Sequence, residues 1–225
     1  PEAAVMLRTQ YRMHEHIMEF SNGQFYGGEL EAADSVAQWK LKESTETGMV
    51  TDTAVHFIDT AGASYEEIYN PESMSLRNPE EAGLVFRHLI QTLLELPKPD
   101  KDDPGAVPTI GIIAPYKDQV RLLRKEIHDY KALWPWTKYI SIDTVDGFQG
   151  QERDIIYISL VRSNAEGTIG FLGNTRRMNV AMTRARKLLV MIGDSSTLGN
   201  HRFYSAFLDF VDQRQAYRSV WEFMT

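Results

Sequence analysis

Three stretches of this chain carry residues that could act on a phosphate. Arg176–Asp194, RRMNVAMTRARKLLVMIGD, gathers Arg176, Arg177, Arg184 and Arg186 in its first half with no acid. Such a local positive patch can bind phosphates whatever the total charge of the protein. Gln10–His16, QYRMHEH, sets Arg12 beside Tyr11. Asp143–Asp154, DTVDGFQGQERD, places Gly147 and Gly150 three apart. That spacing permits a tight loop, which Gln149, Gln151 and Glu152 crowd with polar groups.

Each stretch also has an ordinary reading. Arg184, Arg186 and Lys187 fit a helix end, where cations offset the macrodipole by about 0.3–1 kcal/mol each. GFQGQE fits a plain strand-to-strand turn, and QYRMH fits a helix start with a surface arginine. What unites the three is position. All abut the ends of expected strands, where open α/β sheets bind ligands.

Other chemistries lack their residues. There is no cysteine, hence no disulfide or thiolate chemistry, which fits a reducing cytoplasmic compartment. No G-x-x-x-x-G-K-[ST] phosphate loop occurs. No serine nucleophile elbow is visible. The six histidines show no zinc spacing; His14 and His16, two apart, would point to different sides of a helix. Asp52, Asp59 and Asp154 lie on different expected elements, which argues against a two-metal nuclease. No apolar run is long enough to cross a bilayer, and no signal peptide is visible, so no membrane role is expected. The chain begins without methionine and reads as a fragment of a longer protein.

The elements that must position these residues follow from hydrophobic pattern. VHFIDT (55–60), TIGIIAPY (109–116), YISIDTV (139–145), DIIYISLV (154–161) and KLLVMIGD (187–194) read as strands apolar on both faces, as in a covered parallel sheet. Helices are expected over 79–96, with Ala82, Val85, Phe86, Leu89, Leu93 and Leu96 inward. They are also expected over 117–133, with Val120, Leu123, Ile127 and Tyr130 inward, and over 174–186. The segment 204–224 reads as one or two amphipathic helices, while 47–54 and 97–108 read as loops. With 225 residues, 43% of them hydrophobic, the chain reads as one α/β domain. Its net charge of -7 disfavours a generally basic nucleic-acid binder, yet charge is uneven. Asn174–Val190 holds five basic residues and no acid.

QYRMH, APYKDQ (114–119), DTVDGFQGQERDIIYISLVRS (143–163) and NVAMTRARKLLVMIGD (179–194) resemble, in order and spacing, motifs IV to VI of superfamily 1 helicases. The resemblance is to the branch of the nonsense-mediated-decay helicase and its bacterial relatives. FSNGQFYGGEL (20–30) and NPEEAGLV (78–85) add weaker matches.

The resemblance implies a RecA-like, P-loop-NTPase-type three-layer fold with a mainly parallel sheet, lacking its own phosphate loop. It implies that residues 1–225 are the second motor domain, with 195–225 a C-terminal helical extension. ATP with Mg²⁺ would be held mainly by an N-terminal RecA-like domain of the same polypeptide. The isolated chain would then be essentially inactive. By resemblance, Arg12 and Arg184 reach the γ-phosphate as arginine fingers, waiting without a partner inside this chain. Tyr11 lies near adenine, and Glu152, with Gln149 and Gly150, near the ribose. Pro115, Tyr116, Lys117 and Thr144 meet the backbone of single-stranded DNA or RNA, with Arg121 extending that track. Arg176, Arg177 and Arg186 receive no role. The alternative is a non-catalytic nucleotide-sensing or nucleic-acid-binding scaffold domain that has kept the fold.

Overall fold

The computed structural model describes residues 8–41, 53–99 and 107–224. In chain order the elements are β1 (Thr9–Gln10), α1 (Glu15–Phe25), β2 (Glu31–Ala32), α2 (Asp34–Ala37), β3 (Val55–Asp59), β4 (Ile68–Asn70), β5 (Ser75–Arg77) and α3 (Pro79–Leu94). There follow β6 (Ile110–Ala114), α4 (Lys117–Glu126), β7 (Ile140–Thr144), β8 (Arg153–Ser159), α5 (Thr175–Met182), β9 (Ala185–Gly193), α6 (Ser195–Leu198), α7 (Arg202–Asp212) and β10 (Tyr217–Ser219).

Six strands form one sheet in the order β10-β3-β9-β8-β6-β7, every neighbouring pair parallel. Alternate residues of each central strand enter different cores. Ile155 and Tyr157 of β8 join Leu188 and Val190 of β9 under α3 and α4. Ile156 and Ile158 join Leu189 and Met191 under α1, α5 and α7. The three-layer α/β architecture expected from the apolar runs is therefore the one observed, because the central strands β3, β9, β8 and β6 bury both faces.

Two packing features fix the site. Phe20 of α1 lies edge-on to Phe203 and Phe207 of α7, each with centroids 5.1 Å apart, which packs α1 against α7. At the carboxyl end of β8, the buried Glu81 carboxyl group accepts from Ser159 Oγ at 2.5 Å and from Val161 N at 2.9 Å. Burial pushes its pKa up to about 8, against the opposing pull of those hydrogen bonds.

Three expectations need correction. The helix expected over 174–186 stops at Met182, and Arg186 lies in β9. Thr183 donates its hydroxyl to Asn179 O at 2.8 Å, and strand pairing claims the chain from Ala185. The helix expected over 117–133 ends at Glu126 and gives way to 3-10 turns, the second containing Pro135. In the tail, α7 is helical, but Tyr217–Ser219 forms a sixth strand against β3. Much of the two expected loops, residues 47–52 and 100–106, lies outside the described residues.

Candidate functional site

The start of β9 is where the three stretches meet. His14 N donates to Arg186 O at 2.8 Å, bringing the QYRMH turn to one side of the strand. Arg153 N donates to Arg184 O at 3.0 Å, bringing the end of the 143–154 loop to the other. The QYRM turn is shaped by Gln10, whose Oε1 accepts from Arg12 N at 2.8 Å and Met13 N at 2.9 Å. His14 caps α1 by accepting from His16 N at 3.1 Å. Burial, with His16 and Lys40 nearby, lowers its pKa to about 4, so the ring is neutral and able to accept.

Side chains converge as the backbone does. Arg12 Nε sits 2.8 Å from Glu152 Oε2, and Arg186 Nε sits 3.8 Å from Glu152 Oε1. The Arg186 guanidinium also lies 4.4 Å above the Trp39 ring. Arg184 makes no ion pair among the described residues; its Nε donates to Val180 O at 3.1 Å, at the end of α5. Burial and then the positive charge of Arg12 push the Arg184 pKa down, with Glu152 opposing. Tyr11 stands beside this cluster in the chain and is 71% exposed. Gln149 and Gly150 lie in the turn before Glu152, where Gln149 N donates to Asp146 O at 3.0 Å. Gly147 leaves room there for the Asp143 carboxyl group, whose carbon a Cβ would approach to 2.3 Å.

This donor set suits anionic oxygens. Among the described residues, no group of three or more His, Asp or Glu side chains could hold a metal ion. The candidate nuclease acids are committed elsewhere. Asp59 accepts from Ser195 and Tyr217, and Asp154 from Thr109 with an ion pair to Lys187 at 3.1 Å. Asp52 lies outside the described residues.

The remaining candidates sit at the opposite edge of the sheet. Pro115, Tyr116, Lys117 and Thr144 all line one cleft of about 330 Å³, at the carboxyl ends of β6 and β7. The arginine cluster is at the amino ends of β8 and β9. The candidates at strand ends thus divide into two sites, joined by the 143–154 loop and by α5, both of which run between the edges. Tyr116 is 4% exposed, so it shapes the cleft wall. Arg121 is tied to Asp118 at 3.0 Å.

The arginines are also less free than their sequence implies. Arg177, given no role from sequence, lines the cleft and pairs with Asp146. Arg12, Arg177 and Arg186 find acids in the 143–154 loop, leaving Arg184 as the active-site candidate without one. Sequence reasoning missed Trp39, Met74, Asp146 and Phe171. IGFLGN, an aromatic set between glycines in a turn, was the available signal for the last.

A six-stranded parallel sheet covered by helices on both faces is the RecA-like α/β architecture. Comparison with known proteins narrows the class. Residues 1–196 match a family described as an AAA domain. The DNA-binding protein SMUBP-2 of Rattus norvegicus is 37% identical over 97% of this chain and 21% of its own length. The DNA polymerase alpha-associated DNA helicase A of Saccharomyces cerevisiae is 39% identical over 85% of this chain and 28% of its own. Helicase sen1 of Schizosaccharomyces pombe is 35% identical over 91% of this chain and 11% of its own. The chain thus spans less than a third of each relative. The C-terminal domain of a possible DNA helicase from Lactobacillus plantarum WCFS1 shares the fold, with a TM-score of 0.50 at 11% identity over 93% of this chain and 98% of that one. The chain belongs to the AAA-domain family and is a superfamily 1 helicase C-terminal domain of the Sen1-like branch.

Proposed function

We propose that this domain is the second half of an ATP-driven motor that moves on single-stranded nucleic acid. Its arginine edge faces ATP held by an N-terminal RecA-like domain of the same polypeptide, and its cleft follows the strand. The observation that carries this reading is the double backbone attachment at the start of β9. His14 N to Arg186 O and Arg153 N to Arg184 O bring Arg12, Glu152 and Arg184 to one edge.

When bound, ATP with Mg²⁺ supplies the phosphoryl group whose hydrolysis drives the motor, and the metal's protein ligands come from the other domain. Arg184 and Arg12 meet the negative charge that spreads over the γ-phosphate oxygens during transfer. Arginines supplied across a domain cleft also make hydrolysis depend on closure. Tyr11 offers an aromatic face for adenine, while Glu152, on the turn shaped by Gln149 and Gly150, accepts from the ribose hydroxyl. Trp39 and Glu152 hold Arg186 as a brace for this edge.

At the cleft, α4 and α5 begin at Lys117 and Thr175, which places the positive ends of two helix dipoles beside the path of a bound strand. Lys117 adds charge, and Thr144, Pro115 and Tyr116 shape the path. Such contacts read the backbone and carry no sequence preference, as translocation requires. The names of the rat and budding-yeast relatives favour DNA as the strand. No helix among the described residues is long and apolar enough to cross a membrane, and the absence of cysteine favours the cytoplasm.

Comparing ATP turnover by the chain alone and by the intact protein tests the reading. The chain alone should hydrolyse essentially none, while the intact protein should turn over ATP and respond to single strands. An intact protein that binds both without turnover would instead support a nucleotide-sensing scaffold.

A further inference from the structure

Phe171 is 65% exposed, although its neighbour Leu172 is buried. Both lie in the 3-10 turn Gly170–Gly173, and that turn is braced from within. The Tyr204 hydroxyl donates to Leu172 O at 2.9 Å. Gly170 holds φ +53°, and a Cβ there would fall 2.8 Å from Arg162 Nη1 and 3.0 Å from Tyr116 Oη. Tyr116 meets the Phe171 ring with centroids 5.7 Å apart and planes tilted by 60°. Arg162, against Gly170, is held by Glu67 at 2.9 Å. A tightly packed turn therefore holds one large apolar ring out toward solvent.

That ring lines the same cleft as Pro115, Lys117 and Thr144. Met74 reaches the cleft from the tip of the β4–β5 hairpin, 78% exposed and at φ +48°. The cleft thus combines cationic and helix-terminal groups with a flat aromatic face and a flexible thioether arm. An unpaired nucleotide strand presents the complement of both, phosphates and base π-faces.

We infer that Phe171 is a stacking platform for one unpaired base of the strand in this cleft, with Met74 as a second apolar contact. The inference rests on the reading of the cleft as the strand path and adds a nucleobase contact to it. Stacking is sequence-tolerant because every base has a π-face, so it grips without selecting. Phosphate contacts stay with Lys117 and the two helix N-termini.

The test uses the intact protein and fluorescence anisotropy with labelled oligomers of about twenty units: oligothymidine, oligouridine and an abasic phosphodiester of equal length. Phe171→Ala should weaken binding to oligothymidine, oligouridine or both by about 5–100-fold, leave abasic binding unchanged, and be rescued by Phe171→Trp. The arm that responds identifies DNA or RNA as the strand. An unchanged affinity for both base-bearing oligomers, or an equal loss on the abasic one, overturns the stacking role. Lys117→Glu separates the two claims, since it should weaken all three oligomers. If it does while Phe171→Ala changes nothing, only the stacking inference falls. If neither has any effect, the strand path falls with it.

Discussion

Arg12 and Glu152, 140 positions apart in the chain, form an ion pair of 2.8 Å at the edge of the sheet. The pair joins two stretches that carry the arginine edge, and Arg186 approaches the same carboxylate at 3.8 Å. Both partners are well exposed, so the pair contributes little to folding. Its consequence is orientation: one acid holds two guanidinium groups near Arg184.

Glu152→Gln should therefore separate stability from catalysis. Unfolding free energy should change by less than about 1 kcal/mol, as for exposed pairs generally. ATP turnover by the intact protein should fall roughly 10–100-fold, the penalty of misplaced catalytic groups. Chemical denaturation and steady-state kinetics on the same preparation check both. Wild-type turnover with Arg12 unpaired would refute the orienting role.

The cleft makes an electrostatic prediction. Lys117→Ala should reduce the slope of log affinity against log salt by about 0.7, the loss of one single-strand phosphate contact. Asp146→Asn should act oppositely by releasing Arg177, raising affinity and steepening the slope by a similar amount. Oligonucleotide titrations at several salt concentrations measure both. Identical slopes in all three proteins would remove Lys117 and Arg177 from the strand path.

Glu81 gives a pH signature of the packing at the carboxyl end of β8. Its folded pKa is about 8 against an ordinary 4.5, so the folded state binds the proton more tightly. Its contribution to stability is fully present below about 4.5 and is lost as pH rises through about 8. Between about pH 6 and pH 9, wild-type stability should fall relative to Glu81→Gln by on the order of 1–3 kcal/mol. Denaturant titrations across that range check it, and parallel profiles would contradict it.

The physical basis of these predictions was unevenly legible in the sequence. The strands β3, β6, β8 and β9 were readable because parallel strands covered on both faces become short, continuous apolar runs, and the edge strand β7 was readable from its β-branched residues. β10 was not, since Tyr217–Ser219 gains strand character only from pairing with β3. The TRAR boundary was blurred because the residues before it are good helix formers. The helix stops where Thr183 turns its hydroxyl back to Asn179 O and β8 recruits the next residues.

Charge pairing was the larger gap. The arginines of 176–186 stand in a run without acids, so sequence reading left them unpaired. Asp146 and Glu152 reach Arg177 and Arg186 only because the 143–154 loop and α5 span the same two sheet edges. Phe171 was hidden for a related reason. Nothing local distinguishes an exposed phenylalanine from a buried one until Leu172 is seen to take the core position.

The central claim is that Arg184 acts on ATP from across a domain cleft, and one comparison tests it most directly. Steady-state turnover and equilibrium ATP binding should be measured for the intact protein and for Arg184→Ala. Turnover should fall by about 10³-fold or more, while ATP affinity changes by less than about tenfold, because the group acts mainly on charge that develops in the transition state. Turnover within about threefold of wild type would contradict the account.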